Sequence, residues 1–396
     1  MRDTESQQSA SEPLQRHRVD DTSKAVRRLA FFLSLLCIFL AAPSGAQEAP
    51  GPHNRAEAVK IIADARQIVS PHGLQAIETV RIGGIDQVVS IRSQDLRNPV
   101  LIYFHGGPGY VEMPLDWWYD RGWDEYFTVV QWDQRNAGKT YVASGPSPPA
   151  SLTPERFQKD AEELVQWARK RFGKRKVFVI GHSWGSMLGL KLAAAHPDWL
   201  YAYIGMGQIT NSPESERQGW AWTMARARAD HNAEAIRDLQ SIAPYAGNGT
   251  SVSVDAILKQ RKWLNYYGGA AWRRHGADFE ASLYKLSPEY TDEDVRKAFE
   301  GQPAVTDALL PKVLMTDLST IKKLDVPLLL FLGRHDHTVS SAVAADWFKT
   351  VRAPSKRLVW FERSGHMITS EEPGKLLLSL VEYARPIAAK AGDIAP

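Results

Sequence analysis

Ser183 sits in Gly181-His182-Ser183-Trp184-Gly185, between a short apolar run at residues 177–180 and a helix-like run at residues 186–195. A serine hydroxyl attacks a carbonyl only when a base takes its proton. A tight strand-to-helix turn presents the hydroxyl above a sheet edge, and glycines on either side let strand and helix approach closely. The helix that follows aims free N–H groups at a developing oxyanion. The chemistry implied is acyl transfer with Ser183 as nucleophile. An acid and then a histidine are expected downstream, in that order. Asp336 follows the apolar run 326–332, in Gly333-Arg334-His335-Asp336-His337-Thr338-Val339. His366 follows the run 358–361, in Ser364-Gly365-His366. Both fall on loops at the edge that carries Ser183. His366 is expected to act as general base and then general acid, with Asp336 holding its tautomer. Asp325 and Asp346 suit helix or strand starts better. His335 and His337 are expected to shape the acid loop. His182 is expected to be structural, pointing away from the nucleophile's face.

His105-Gly106-Gly107-Pro108-Gly109 closes another apolar run, Val100–Phe104. A glycine-rich turn after a strand can offer an N–H to an oxyanion, and the residue after the nucleophile offers the second. Gly107 and Trp184 are the expected donors. No His/Asp/Glu spacing matches a zinc-binding motif, and residues 181–185 lack the lysine of a phosphate loop, so no metal or cofactor is expected. The formal charge is +3 on 48 basic and 45 acidic residues, too even for a nucleic-acid surface. The expected partner is a small molecule or short peptide as substrate.

The surrounding elements must position these residues. Asn54 can cap a helix to about Val69, with an apolar stripe that packs on the core. Residues 76–82 and 87–92, separated by Gly83-Gly84, read as a hairpin. Apolar runs at Val100–Phe104, 127–132, 177–180 and 203–207 then alternate with helices at 154–172 and 186–195. That pattern means an α/β fold, with a mostly parallel sheet covered by helices on both faces. The alternation stops near Gln208. Residues 208–318 read as mostly helical and contain no convincing strand. It resumes with a strand at 326–332, a helix at Ser341–Thr350, a strand at 358–361 and a final helix at 373–389. Residues 47–207 and 319–396 are therefore expected to form one core in two parts, the first with an N-terminal helical extension. Residues 208–318 form an inserted helical cap over the sheet's C-terminal edge, where ligands bind in open α/β sheets.

The N-terminus carries Lys24, Arg27 and Arg28, then the apolar residues 29–42, then Pro43-Ser44-Gly45-Ala46. Basic flank, apolar centre and small-x-small ending are the parts of a secretory signal peptide over residues 1–46, with cleavage before Gln47. An apolar run this short does not reach the ~20 residues of a spanning helix. The expectation is an exported chain, periplasmic or secreted, with no stable membrane association after cleavage. The single cysteine, Cys37, would leave with the signal. Disulfides and thiolate chemistry would leave with it.

Taken together, His105-Gly106-Gly107-Pro108-Gly109, Asp133-Gln134-Arg135 and Gly181-His182-Ser183-Trp184-Gly185-Ser186 resemble the proline iminopeptidase family of α/β-hydrolases. The resemblance covers about residues 75–207 and 319–370. It departs from the family pattern at Asn136-Ala137-Gly138-Lys139-Thr140 and in the cap. It implies the α/β-hydrolase fold, a Ser–His–Asp triad, an acyl-enzyme, and release of an N-terminal residue from a small peptide or amide. An aminopeptidase must recognise an ammonium, which carboxylates do best. Glu214 and Glu216, at the opening of the cap, are the candidates. The cap aromatics Trp220, Trp222, Trp263, Tyr266, Tyr267 and Trp272 are expected mostly to form cap core. The same triad would serve a carboxylesterase or lactonase, and a non-catalytic binding protein on this scaffold is the reading of a different class.

Overall fold

The apolar runs assemble into one eight-stranded sheet in this computed structural model, which describes residues 51–247, 252–276 and 278–396. The expected signal segment, residues 1–46, lies outside the described residues, and so does Cys37. The strands are β1 (Leu74–Ile82), β2 (Ile85–Ser93), β3 (Val100–Phe104), β4 (Thr128–Asp133), β5 (Val177–His182), β6 (Leu200–Met206), β7 (Leu328–Gly333) and β8 (Lys356–Phe361). Their order is β1-β2-β4-β3-β5-β6-β7-β8. β1 pairs with β2, and β2 with β4, antiparallel. Every pairing from β4 to β8 is parallel. This is the mostly parallel sheet expected from the strand–helix alternation.

Wholly buried strands show no polar alternation, yet their side chains still point to opposite faces in turn. In β3, Val100, Ile102 and Phe104 join the core on one face, and Leu101 and Tyr103 join the core on the other. β5 divides the same way, with Val177 and Val179 on the first side and Phe178 and Ile180 on the second. The first face is covered by the helices Pro154–Arg171 and Trp184–Ala195. Thr153 caps the earlier helix by accepting a hydrogen bond from the Arg156 N–H, and Pro154 occupies its first turn. That helix buries Phe157, Ala161, Leu164, Val165 and Ala168, a stripe at helical spacing.

Between β6 and β7 the chain leaves the sheet through helices that include Ser212–Ala229, Ala233–Ser241, Val254–Tyr266 and Gln302–Val313. The start and end of this insert are tied together. Asn211 and Asp317 form an antiparallel bridge. The Ser212 N–H donates to the Thr316 carbonyl at 2.9 Å, and the Leu318 N–H donates to the Thr210 carbonyl. The insert thus leaves and re-enters the sheet at one place. Among the described residues no helix is long and apolar enough to cross a membrane.

Two helices differ from the sequence reading. The first spans only Arg55–Ala65, and none of its residues is fully buried. Ile61, in the expected apolar stripe, is 56% exposed. The segment docks through arginines instead. Arg55 donates to the carbonyls of Lys285 and Tyr290, and Arg66 reaches the Trp117 carbonyl and Asp120. Polar anchors leave no periodic apolar signature, so the stripe misleads. The final helix is split into Pro373–Ser379, a wider turn at Leu380–Ala384, and Arg385–Ala389. Pro386 accounts for the break, because it has no N–H to continue the ladder and its ring crowds the preceding turn.

Candidate active site

β5 runs straight into the helix Trp184–Ala195, and Ser183 is the one residue between them. Its backbone is held at φ 53°, ψ −117°, a strained position for a side chain with a Cβ. The two flanking glycines are required by space. A Cβ on Gly185 would lie 2.0 Å from the Phe104 carbonyl oxygen, and one on Gly181 would lie 2.4 Å from the Gly185 carbonyl oxygen. Ser186, the last residue of the motif, secures the turn. Its hydroxyl donates to the Ser183 carbonyl at 2.5 Å and accepts from the Ile209 N–H at 2.9 Å.

The loops after β7 and β8 bring Asp336 and His366 together. His366 Nδ1 and Asp336 Oδ2 are 2.7 Å apart. The other carboxylate oxygen, Oδ1, accepts from the N–H groups of Thr338 and Val339, both at 2.9 Å. The His366 ring lies over Gly207, where a Cβ would come within 3.0 Å of Cε1. The insert touches both loops through its backbone. The His337 N–H donates to the Gly269 carbonyl at 2.9 Å, and the His366 N–H donates to the Ala270 carbonyl. His335 and His337, on either side of Asp336, stack on the insert tryptophans Trp272 and Trp222. Burial lowers the pKa of His337 to about 4, so its ring is neutral.

The glycine-rich turn after β3 faces the same space. Gly107 has φ 121°, and a Cβ there would lie 2.6 Å from the backbone nitrogens of Gly109 and Tyr110. Among the described residues no acceptor takes the Gly107 N–H. The Trp184 N–H belongs to the first turn of its helix, whose N–H groups lack intrahelical partners. Gln134 explains why Asp133-Gln134-Arg135 accompanies these motifs. Its side chain donates to the His105 carbonyl at 3.0 Å and accepts from Trp184 Nε1 at 2.9 Å. It therefore stitches the glycine turn to the serine turn. A cavity of about 330 Å³ opens at this point, lined by Ser183, His366, Gly106 and Gly107 at one end and Glu216 and Arg261 at the other.

A family model described as alpha/beta hydrolase fold matches residues 99–373. The chain belongs to this family. A probable aminopeptidase of Bacillus subtilis (strain 168) is 29% identical over 314 residues, covering 78% of this chain and 96% of its own. A probable proline iminopeptidase of Streptomyces coelicolor is 34% identical over 303 residues, covering 72% of this chain and 87% of its own. The solved proline iminopeptidase of Mycobacterium smegmatis shares the fold, with a TM-score of 0.57 at 19% identity over 80% of this chain and 100% of its own. The protein is thus an α/β-hydrolase that resembles the proline iminopeptidases, and it is a hydrolytic enzyme.

The two carboxylates expected to recognise an ammonium lie differently in this α/β-hydrolase. Glu214 is half-buried outside the cavity, accepting from Arg217 at 2.5 Å and from Gln218 at 2.8 Å. Glu216 lines the cavity but is already paired. Arg261 donates to both of its oxygens, at 2.5 and 3.0 Å, and Tyr245 donates to Oε2 at 2.9 Å. Burial opposes the charge on Arg261, and Glu216 outweighs it and raises its pKa. The six aromatics singled out in the insert do not line the cavity. Trp220, Trp263 and Tyr267 pack in a core of the insert itself.

His182 departs from its expected place. It lines the cavity, and its ring centroid is 4.8 Å from that of His366. Beside it is Glu112, buried and not singled out by any motif. Glu112 accepts from the Gly106 N–H at 3.0 Å, from Tyr103 Oη, and from His182 Nδ1 at 3.0 Å. Only its place seven residues after His105 marks it in the sequence. Among the described residues no group of three or more His, Cys, Asp or Glu side chains is arranged to hold a metal ion.

Proposed function

We propose that Ser183, His366 and Asp336 are the catalytic triad of an exported serine hydrolase working through an acyl-enzyme. The observation that carries the reading is the 2.7 Å contact between His366 and Asp336 in a loop beside the strained Ser183, with Ser183 and His366 lining one cavity. In this reading Ser183 Oγ attacks the substrate carbonyl while His366 Nε2 takes its proton. The N–H groups of Gly107 and Trp184 hold the developing oxyanion. His366 then gives the proton to the leaving group, and the acyl group stays on Ser183. Water, deprotonated by His366, releases the acid and restores the hydroxyl. Residues 208–318 serve as the cap that selects the substrate.

The substrate class proposed is a small peptide or aminoacyl amide with a free N-terminus, handled as a proline iminopeptidase handles its own. The names of the relatives, aminopeptidase and proline iminopeptidase, and the presence of Glu216 in the cavity support this. A carboxylesterase or lactonase is the second reading, and one observation favours it. Both glutamates lining the cavity, Glu112 and Glu216, already face a basic side chain. A substrate ammonium would have to compete with Arg261 for Glu216. Rates on proline β-naphthylamide, on its N-blocked form and on p-nitrophenyl esters separate the readings. The aminopeptidase reading expects blocking to lower kcat/KM by at least about 10²-fold, the scale of a lost charge-assisted contact. Equal rates on free and blocked amides would sink it in favour of the esterase.

Export rests on the composition of residues 24–46. Expressed from the full sequence in a Gram-negative host, the protein is expected in the periplasm or medium with Gln47 as its first residue. A cytoplasmic protein that retains residues 24–46 would overturn the reading.

A further inference from the structure

Both ring nitrogens of His182 face acceptors. Nδ1 lies 3.0 Å from Glu112 Oε1, and Nε2 lies 3.0 Å from the His366 carbonyl oxygen. A neutral imidazole has one N–H and one lone pair, so it can satisfy only one of these contacts. The other would set a nitrogen lone pair against an oxygen lone pair. His105, a few ångströms along the same network, shows the contrast. Its Nδ1 lies 2.8 Å from the Gly106 carbonyl, which must accept, while its Nε2 takes the Gln134 N–H at 3.1 Å. One donor position and one acceptor position define a neutral ring. Two donor positions define a cation.

We infer that His182 is a standing imidazolium, with Glu112 as its counter-ion, and that this pair positions the site and keeps His366 free to accept a proton. The inference rests on the reading of His366 as the base. The pair joins three loops. Glu112 accepts the Gly106 N–H of the glycine turn, His182 belongs to the serine turn, and Nε2 anchors the backbone of His366 itself. The electrostatic sense follows from the order of the groups. The positive ring is next to His366, and the negative carboxylate lies beyond it. A positive charge at a ring separation of 4.8 Å opposes a second positive charge on His366.

The neighbouring charges agree with this arrangement. Burial disfavours a charged ring at His182, but the charge and hydrogen bond of Glu112, the His366 carbonyl and the more distant Asp336 outweigh it and raise its pKa. Burial likewise disfavours an ionised Glu112, yet the charge and hydrogen bond of His182 and the hydrogen bond of Tyr103 hold its carboxyl at about 2. Glu280 also faces this group at longer range from the insert, and burial pushes its own carboxyl up to about 7. Beside His366, Asp336 is bonded to Nδ1, and Glu371 accepts from the neighbouring Gly365 N–H.

Two measurements test the inference. The first is ¹⁵N NMR of the full chain labelled at its 11 histidines. Ordinary histidines, with pKa near 6.5, are neutral at pH 9. One ring with both nitrogens protonated is expected to persist there, and to vanish in His182→Asn. Absence of any imidazolium at pH 9 overturns the proposal, even if the variant does not fold. The second is the pH profile of kcat/KM. His182→Asn removes the cation and leaves the Glu112 carboxylate, so the acid limb should move up by about one pH unit. A fall in kcat with an unmoved limb would mean that the ring only packs. Fluorophosphonate labelling that depends on Ser183 tests the triad separately, so failure of one reading is not mistaken for failure of the other.

Discussion

Ser183→Ala is expected to abolish labelling by a fluorophosphonate and to lower turnover of every substrate by at least about 10⁴-fold. The size of the effect follows from what remains. The Gly107 and Trp184 N–H groups and the cavity would still bind substrate and polarise its carbonyl, which keeps a residual rate above that in water. The acyl-enzyme would be gone. The substitution should cost little stability, because among the described residues the Ser183 hydroxyl takes no part in holding the turn. Its backbone does that work, with the N–H on the Met206 carbonyl and the carbonyl receiving Ser186. Loss of labelling with an unchanged melting temperature is therefore the expected pair of results. A wild-type chain that does not label at all would favour a binding protein on a hydrolase scaffold. Labelling that survives Ser183→Ala would place the nucleophile elsewhere.

The parts of this site legible in the sequence share one property, which is that a short-range pattern marks them. Gly107, Ser183 and Asp336 each follow a buried strand, and buried strands show as apolar runs even without alignment; His366 follows β8, which is buried only at Phe361 but still ends in the apolar run 358–361. The glycines at 181 and 185 are legible because the backbone leaves no room for a Cβ. What was missed acts across long separations. Glu112 reaches His182 over 70 residues, and Gly269 and Ala270 reach the loops of Asp336 and His366 through backbone carbonyls, which no side-chain pattern announces. Arg261 is the sharpest case. Read alone, Glu216 is a free carboxylate at a helix start. Arg261 lies 45 residues later on another helix and turns it into half of a buried ion pair. The fold was more legible than the recognition site because core strands and helices announce themselves locally and pairings within an insert do not.

Asp336→Asn carries the second large effect, and the geometry fixes its direction. Asp336 Oδ1 accepts two backbone N–H groups, from Thr338 and Val339. An asparagine placed there must point its carbonyl oxygen at those two donors, since its amide group would set N–H against N–H. Its NH₂ then faces His366 Nδ1, where Oδ2 now lies at 2.7 Å. A donor at that position forces the lone pair onto Nδ1 and the proton onto Nε2. His366 would meet Ser183 with an N–H where a lone pair is needed, and it could not take the hydroxyl proton. The site would look intact and turn over about 10⁴-fold more slowly, as in other triads whose acid becomes an amide. Restoration of rate at high pH, where hydroxide can replace the base, would be consistent with this account. The decisive comparison is with Asp336→Ala. If tautomer control is the role of Asp336, the alanine variant, free to place its proton on either nitrogen, should retain at least as much activity as the asparagine variant. An asparagine variant close to wild type would remove Asp336 from the triad.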